Sequence, residues 1–268
     1  MSARLAPLRH AARDFLARWK VAERRSTIEG RRFEAMIALL VCVSVIATAL
    51  LGDATITEAM RGVAPGVKSA FLKITKLGES GWIFALGAMV LFGALMARQR
   101  GLGAHMDAAL GVLAGRAFFI IAVNAVSGLL SLALKMMFGR ARPRLYDSFG
   151  AFHFDMFSIK SSVLSFPSGH TVTVFATATA LAFMVPRAGK VLIAVALLIG
   201  VSRIVTGAHY PSDVIAGMAL GVATSIFMRR AFAARRIVFR FRPAGIKLRG
   251  AGLVWPALRR AIPFWSPK

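Results

Sequence analysis

Cysteine is nearly absent from this chain. The one thiol, Cys42, lies inside an apolar run, which excludes an intramolecular disulfide and leaves the compartment to be read from topology. Acids are scarce too: 11 Asp and Glu stand against 35 Lys and Arg, a formal net charge of +24. No internal repeat, low-complexity segment or separate soluble domain is visible. What fills the chain instead is apolar: 57% of its 268 residues are hydrophobic, with a mean hydropathy of +0.66. Soluble domains average about 45–50% apolar, so this composition describes a multi-span membrane protein. A basic excess in a soluble protein would suggest nucleic acid. Here the cations crowd the ends and short connections, which the positive-inside rule already explains, so no nucleic-acid partner is expected.

Residues 1–32 carry nine Lys and Arg and three acids. Leu5, Leu8, Ala12, Phe15 and Trp19 recur at helical spacing with Arg9, Arg13 and Lys20 off that stripe, the pattern of an amphipathic basic arm on an anionic membrane surface. The first apolar run starts late and no small-residue cleavage pattern follows it, which argues against a signal peptide. At the other end, residues 229–268 hold eleven Lys and Arg and no acid, with Trp255, Phe264 and Trp265 suited to the interface.

Six apolar spans are expected, at Phe33–Leu51, Gly81–Ala97, Ala117–Leu134, Thr171–Val185, Val191 to about Arg203, and Val214–Met228. The last three are short, so their outer ends are expected to be extended by helix buried in protein. Arg31 and Arg32 put the N-terminus in the cytoplasm, and six crossings return the C-terminus there. The chain thus divides into a basic cytoplasmic arm (1–32), an all-α six-span domain (33–230) and a basic cytoplasmic tail (231–268). Val67, Ala70, Phe71 and Ile74 suggest a short interfacial helix on the outer side. Asn124, inside the third span, reads as a helix–helix hydrogen bond, and the Gly111–Gly115 and Gly217–Gly221 pairs as sites of close helix packing.

Three polar clusters fall on the outer face of this topology. The first is Lys135 with Arg142-Pro143 seven residues on; the second is Pro167-Ser168-Gly169-His170 at the mouth of the fourth span; the third runs from Ser202 to Asp213. Polar groups at the mouth of a span are functional candidates by default. Lys135, Arg142 and Arg203 supply three cations, and arginine forks suit phosphate oxygens. Ser168 and Gly169 open a helix whose free N–H groups and dipole favour an anion. Asp213 is the only acid in the three motifs, so the clamp needs no metal and no cofactor. His209, four residues before Asp213, reads as a nucleophile held in one tautomer by that carboxylate, its pKa lowered by the three cations. His170 reads as the acid that protonates the leaving oxygen and later activates water.

Together these motifs resemble the signature of the type 2 phosphatidic acid phosphatase and vanadium haloperoxidase superfamily, in its membrane lipid phosphatase branch. The resemblance covers about residues 33–230. It implies phosphate binding by Lys135, Arg142, Ser168, Gly169 and Arg203, a nucleophile at His209 oriented by Asp213, an acid/base at His170, no metal, and inhibition by vanadate. The expected protein is a multi-pass enzyme of the inner (plasma) membrane. It hydrolyses a lipid phosphate monoester or a polyprenyl or lipid diphosphate at the periplasmic face, through a phosphohistidine. Polyprenyl diphosphate, phosphatidate, phosphatidylglycerophosphate and lipid A are all candidate substrates. A lipid phosphotransferase with the same chemistry and a non-catalytic lipid-phosphate binder are the alternatives. The connection from Arg144 to Phe166, with His153 and Asp155, matches no motif and is a candidate substrate-selecting loop. The sequence specifies no oligomeric state.

Overall fold

The computed structural model describes residues 28–242, 245–250, 252–254 and 256. The N-terminal surface arm expected before residue 28, and Trp255, Phe264 and Trp265, lie outside the described residues. The long elements are α1 (Ile28–Leu51), α2 (Asp53–Arg61), α3 (Pro65–Thr75), α4 (Ser80–Arg98), α5 (Ala104–Phe138), α6 (Gly169–Met184), α7 (Gly189–Val205) and α8 (Pro211–Ala234), followed by strands β1 (Phe239–Arg242) and β2 (Gly245–Leu248). Among the described residues, five stretches are long and apolar enough to cross a membrane, and α6 is a shorter apolar helix. The expected membrane-spanning helical fold is therefore observed. Two boundaries differ from the sequence reading. The third span is the end of a 35-residue helix starting at Ala104, where Arg98 pairs with Asp107 at 2.8 Å. The polar stretch after α1 is helical from Asp53 onward.

The chain forms two compact units, each with its own packing. One contains Ile28–Ala88 and Ile120–Ile226. At its centre Val174, Phe175 and Ala178 of α6 pack on Ala196 and Ile199 of α7, with Met218 and Val222 of α8 and Ile74 of α3 around them. A short helix does cover Val67, Ala70, Phe71 and Ile74: it is α3, and its Ile74 packs against the core. Asn124 does bond another helix, accepting from Thr177 Oγ1 at 3.1 Å. The glycines of α8 permit close approach: a Cβ on Gly217 would meet Ser168 O at 2.7 Å, and one on Gly221 would meet Val172 O at 2.6 Å. Eight of the 16 residues of α6 are buried, so this short helix is flanked by protein along much of its length. At the ends that carry the motifs, α8 starts at Pro211, three residues before its expected apolar run, and α6 at Gly169, two residues before its own.

The other unit contains Met89–Phe119 and the chain from Phe227 onward. Phe119 is fully buried between Phe232 and Phe239, edge to face at 4.9 and 5.0 Å. β1 and β2 pair antiparallel, Phe239 opposite Leu248, and Arg229 Nη2 donates to Ile246 O at 2.7 Å. Residues read as a basic tail are thus packed as far as this hairpin.

Candidate active site

Everything that follows lies within the unit of Ile28–Ala88 and Ile120–Ile226. Lys135 sits in the last turn of α5. The chain then turns at Gly139, where φ is +58° and a Cβ would lie 1.6 Å from Asp155 O, so only glycine fits. Beyond it Arg140 and Arg142 are held by a returning loop: Ala141 N–H donates to His153 O, Arg142 N–H to Ser162 O and Ser165 N–H to Arg140 O. Ser168 stands at the N-cap position of α6 without a side-chain capping bond, and its N–H donates to Asp213 O at 3.0 Å, which joins the second motif to the third. Arg203 is in the last turn of α7, and Gly207, at φ +66°, reverses the chain toward His209 and α8. Pro211 opens α8 and Asp213 follows in its first turn, where proline and a carboxylate suit a helix start.

All three motifs therefore converge. Lys135, Arg142 and Arg203 act electrostatically on His170, and Lys135 and Arg142 act on His209. These cations are oriented by neutral acceptors. Lys135 Nζ donates to Leu164 O at 2.8 Å, Arg142 Nε to Ser161 O at 2.9 Å, and Arg203 Nη1 to Thr75 Oγ1 at 2.7 Å. Carbonyls and hydroxyls fix direction without cancelling charge, so the cluster keeps its attraction for an anion. Among the described residues, the buried Nε of Arg203 has no hydrogen-bond partner. Burial lowers the pKa of Arg142, the neighbouring Arg144 adds to this, and Asp213 opposes it.

His209 is buried, with Nδ1 3.5 Å from Asp213 Oδ2 and 3.4 Å from Ser165 Oγ. Ser165 Oγ donates to the same carboxylate oxygen at 2.6 Å, as does Tyr210 N–H at 3.0 Å. Nδ1 thus faces the hydroxyl and the carboxylate, which leaves Nε2 as the ring nitrogen available for chemistry. The His209 pKa is pushed down to about 3, first by burial, against Asp213, with Lys135 and Arg142 adding to the fall. The sequence reading credited the cations with this shift; burial is the larger cause, and Arg203 acts at His170.

Several participants escaped the sequence reading. Arg140, between Lys135 and Arg142, is buried and forked: Nη1 donates to Asp213 Oδ1 at 2.8 Å and to Ser212 Oγ, and Nη2 to Asp53 Oδ2 at 2.7 Å. Asp53, also fully buried, accepts from Ser212 N–H at 3.0 Å. Burial works against charge on Arg140, yet Asp213 and Asp53 more than offset it and hold its pKa above the ordinary value. Ser165 and Thr75 complete the set. The overlooked signal was Asp53 itself, an isolated carboxylate directly after an apolar span, which needs a cation. Among the described residues, no group of three or more His, Cys, Asp or Glu is placed to hold a metal ion.

The PAP2 superfamily sequence model matches residues 116–237, which contain all three motifs. The chain is 32% identical to a lipid A 1-phosphatase of Rhizobium etli over 226 residues, 84% of this chain and 93% of that protein. It is 35% identical to a lipid A 1-phosphatase of Rhizobium johnstonii over 217 residues, 81% and 84% of the two chains. Its fold resembles the crystal structure of a transmembrane PAP2-type phosphatidylglycerolphosphate phosphatase from Bacillus subtilis, with a TM-score of 0.52, 22% identity, and coverage of 73% of this chain and 93% of that one. The chain belongs to the PAP2 superfamily and is a membrane lipid phosphatase of that type.

Proposed function

We propose that this enzyme removes the 1-phosphate of lipid A at the outer face of the inner membrane, through a phosphohistidine formed on His209. The observation that carries the substrate is the similarity to two lipid A 1-phosphatases over four-fifths of the chain. The chemistry draws its support from the geometry. A phosphate monoester carries about −1.5 to −2 charges at pH 7. Lys135, Arg142, Arg203, the Ser168 hydroxyl and the N–H of Gly169 at the start of α6 receive it; the Ser168 N–H is already donated to Asp213 O. Nε2 of His209 attacks phosphorus, the P–O bond to the sugar breaks, and His170 gives a proton to the departing oxygen. His170 then takes a proton from water, whose oxygen attacks phosphorus and breaks the P–N bond, releasing inorganic phosphate and restoring His209.

Six crossings with both termini cytoplasmic put this site on the periplasmic side. The reading is supported by the site itself. The end of α5, the start of α6, the end of α7 and the start of α8 meet there, so α6 must run antiparallel to α7, whose stretch Pro186–Val205 is long enough to cross. The test is purified protein with lipid A in detergent micelles, following free phosphate and assigning the lost group by fragmentation mass spectrometry. Loss confined to the 1-position supports the proposal. Release from polyprenyl diphosphate or phosphatidylglycerophosphate, with lipid A untouched, would overturn it.

A further inference from the structure

The loop between α5 and α6 has its polarity reversed. Phe157 and Ile159 are 78% and 80% exposed and Met156 is 64% exposed, while Ser158 between them is buried. Phe149, Phe152 and Phe154 add three exposed rings. A loop facing water hides its apolar residues and shows its hydroxyls; contiguous exposed apolar side chains mark a contact surface. Nor is this a slack segment. Ala141 N–H donates to His153 O and Asp155 N–H to Gly139 O, each about 2.9 Å, and Arg140 bridges Phe154. Phe157 adopts a left-handed backbone at φ +59°, costly for a bulky side chain, and so held by the surrounding structure with its ring outward.

Its surroundings follow from where it is tied. The exposed apolar side chains of the spanning helix α5 reach Met137, and Gly139 and Arg140, just beyond, are the residues pinned to the loop. The apolar loop therefore continues the lipid-facing surface from the point where the helix leaves the membrane. Lys160, next to Ile159, and Arg144 are exposed cations suited to lipid phosphates, where long basic side chains rest with their stems in the apolar layer. The loop also reaches the site: Ala151 O accepts from Arg140 Nε and Nη2, and Arg140 holds Asp213.

We infer that residues 149–160 dip into the outer leaflet and hold the acyl chains of the lipid substrate while its phosphate enters the cation cluster. This rests on the lipid phosphatase reading and extends it to how the lipid is gripped. The occupant is the acyl layer of the outer leaflet, of which the substrate's chains are part.

Two measurements test it. In a Cys42→Ala background, Phe157→Cys labelled with an environment-sensitive fluorophore goes into phosphatidylethanolamine/phosphatidylglycerol vesicles containing spin-labelled lipid quenchers. Blue-shifted emission quenched by shallow acyl-chain labels is expected. Water-like emission without quenching, or a blue shift that disappears when the protein is diluted among more vesicles, indicates solvent or a second copy and overturns the inference. The second measurement compares Phe157→Ser/Ile159→Ser with Phe157→Leu/Ile159→Leu. The serine pair should lower kcat/KM on long-chain lipid phosphate at least tenfold and leave a short-chain soluble phosphate monoester unchanged, and the leucine pair should behave as wild type on both. Equal loss on both substrates, or no loss, refutes the grip. Should the wild-type protein hydrolyse neither substrate, the phosphatase reading fails, and the fluorescence result alone decides the loop.

Discussion

Arg140 offers one buried cation to two buried carboxylates, and its removal strands both of them. Breaking such a pair costs roughly 3–5 kcal/mol because the charge left behind has no partner. Arg140→Met should therefore lower Tm in detergent sharply, and Arg140→Lys should recover only part, since an ammonium cannot fork between Asp53 and Asp213. An unchanged Tm in the methionine variant would show that the carboxylates are not held through this residue. His209 gives a prediction with pH. Its folded pKa of about 3 lies below the 6.5 of a free imidazole, so between these values the unfolded chain binds a proton that the folded protein refuses. Stability contributed at neutral pH is lost as pH falls through 6.5 toward 3, by up to about 1.4 kcal/mol per pH unit. The denaturation midpoint should drop between pH 7 and 4, and His209→Gln should flatten that drop; parallel curves would contradict the burial of a neutral ring. At this scale the three motifs were legible because type and spacing alone align a lysine, two arginines, two histidines and an aspartate. Arg140 was not, since the residue that explains it, Asp53, is 87 positions away.

Helices made the same distinction between what spacing shows and what packing decides. Two glycine pairs four apart looked alike in the sequence, and only one is a close contact. Gly217 and Gly221 of α8 lie against the backbone of α6, where an added Cβ would come within 2.6–2.7 Å of carbonyl oxygens. Gly111 and Gly115 of α5 have their nearest neighbours at 3.5 Å, ordinary contact with side chains. Gly221→Val should force α6 and α8 apart and cost more than the 1–3 kcal/mol of usual overpacking, because a backbone cannot step aside as a side chain does. Gly111→Ala should be neutral or slightly stabilising, as alanine favours helix. Yield of folded protein after detergent extraction and Tm would show both; equal effects would mean that the two pairs are equivalent. The boundaries of α5 and α2 were hidden for a related reason. Hydropathy marks where lipid begins and ends, whereas a helix continues for as long as its backbone bonds and partners such as Arg98 and Asp107 support it.

For the molecule as a whole, the decisive question is the crossing of α6. Its 16 residues rise only about 24 Å, short of the roughly 30 Å of hydrocarbon, and hydropathy alone leaves five long spans. Five crossings would put the termini on opposite sides and separate Ser168 from Asp213 by the thickness of the membrane. Yet Ser168 N–H donates to Asp213 O at 3.0 Å, and Lys135 Nζ reaches Leu164 O at 2.8 Å, so the helix ends that carry the motifs share one face. A short helix can cross where protein surrounds it, and half of the α6 residues are buried and none is exposed. The side proposed for this face rests on charge alone: the segments 1–32, 98–100 and 229–268 are basic in sequence, and the positive-inside rule assigns such segments to the cytoplasm. The proposed topology can be read from single cysteines in a Cys42→Ala background, at Ser148 in the α5–α6 connection and at Arg187 between α6 and α7. In intact cells with a permeable outer membrane, a membrane-impermeant maleimide should label Ser148→Cys, and Arg187→Cys should react only after lysis. Labelling of both in intact cells would mean that α6 does not cross. Labelling of Arg187→Cys alone would invert the protein and carry its cation cluster to the cytoplasmic side.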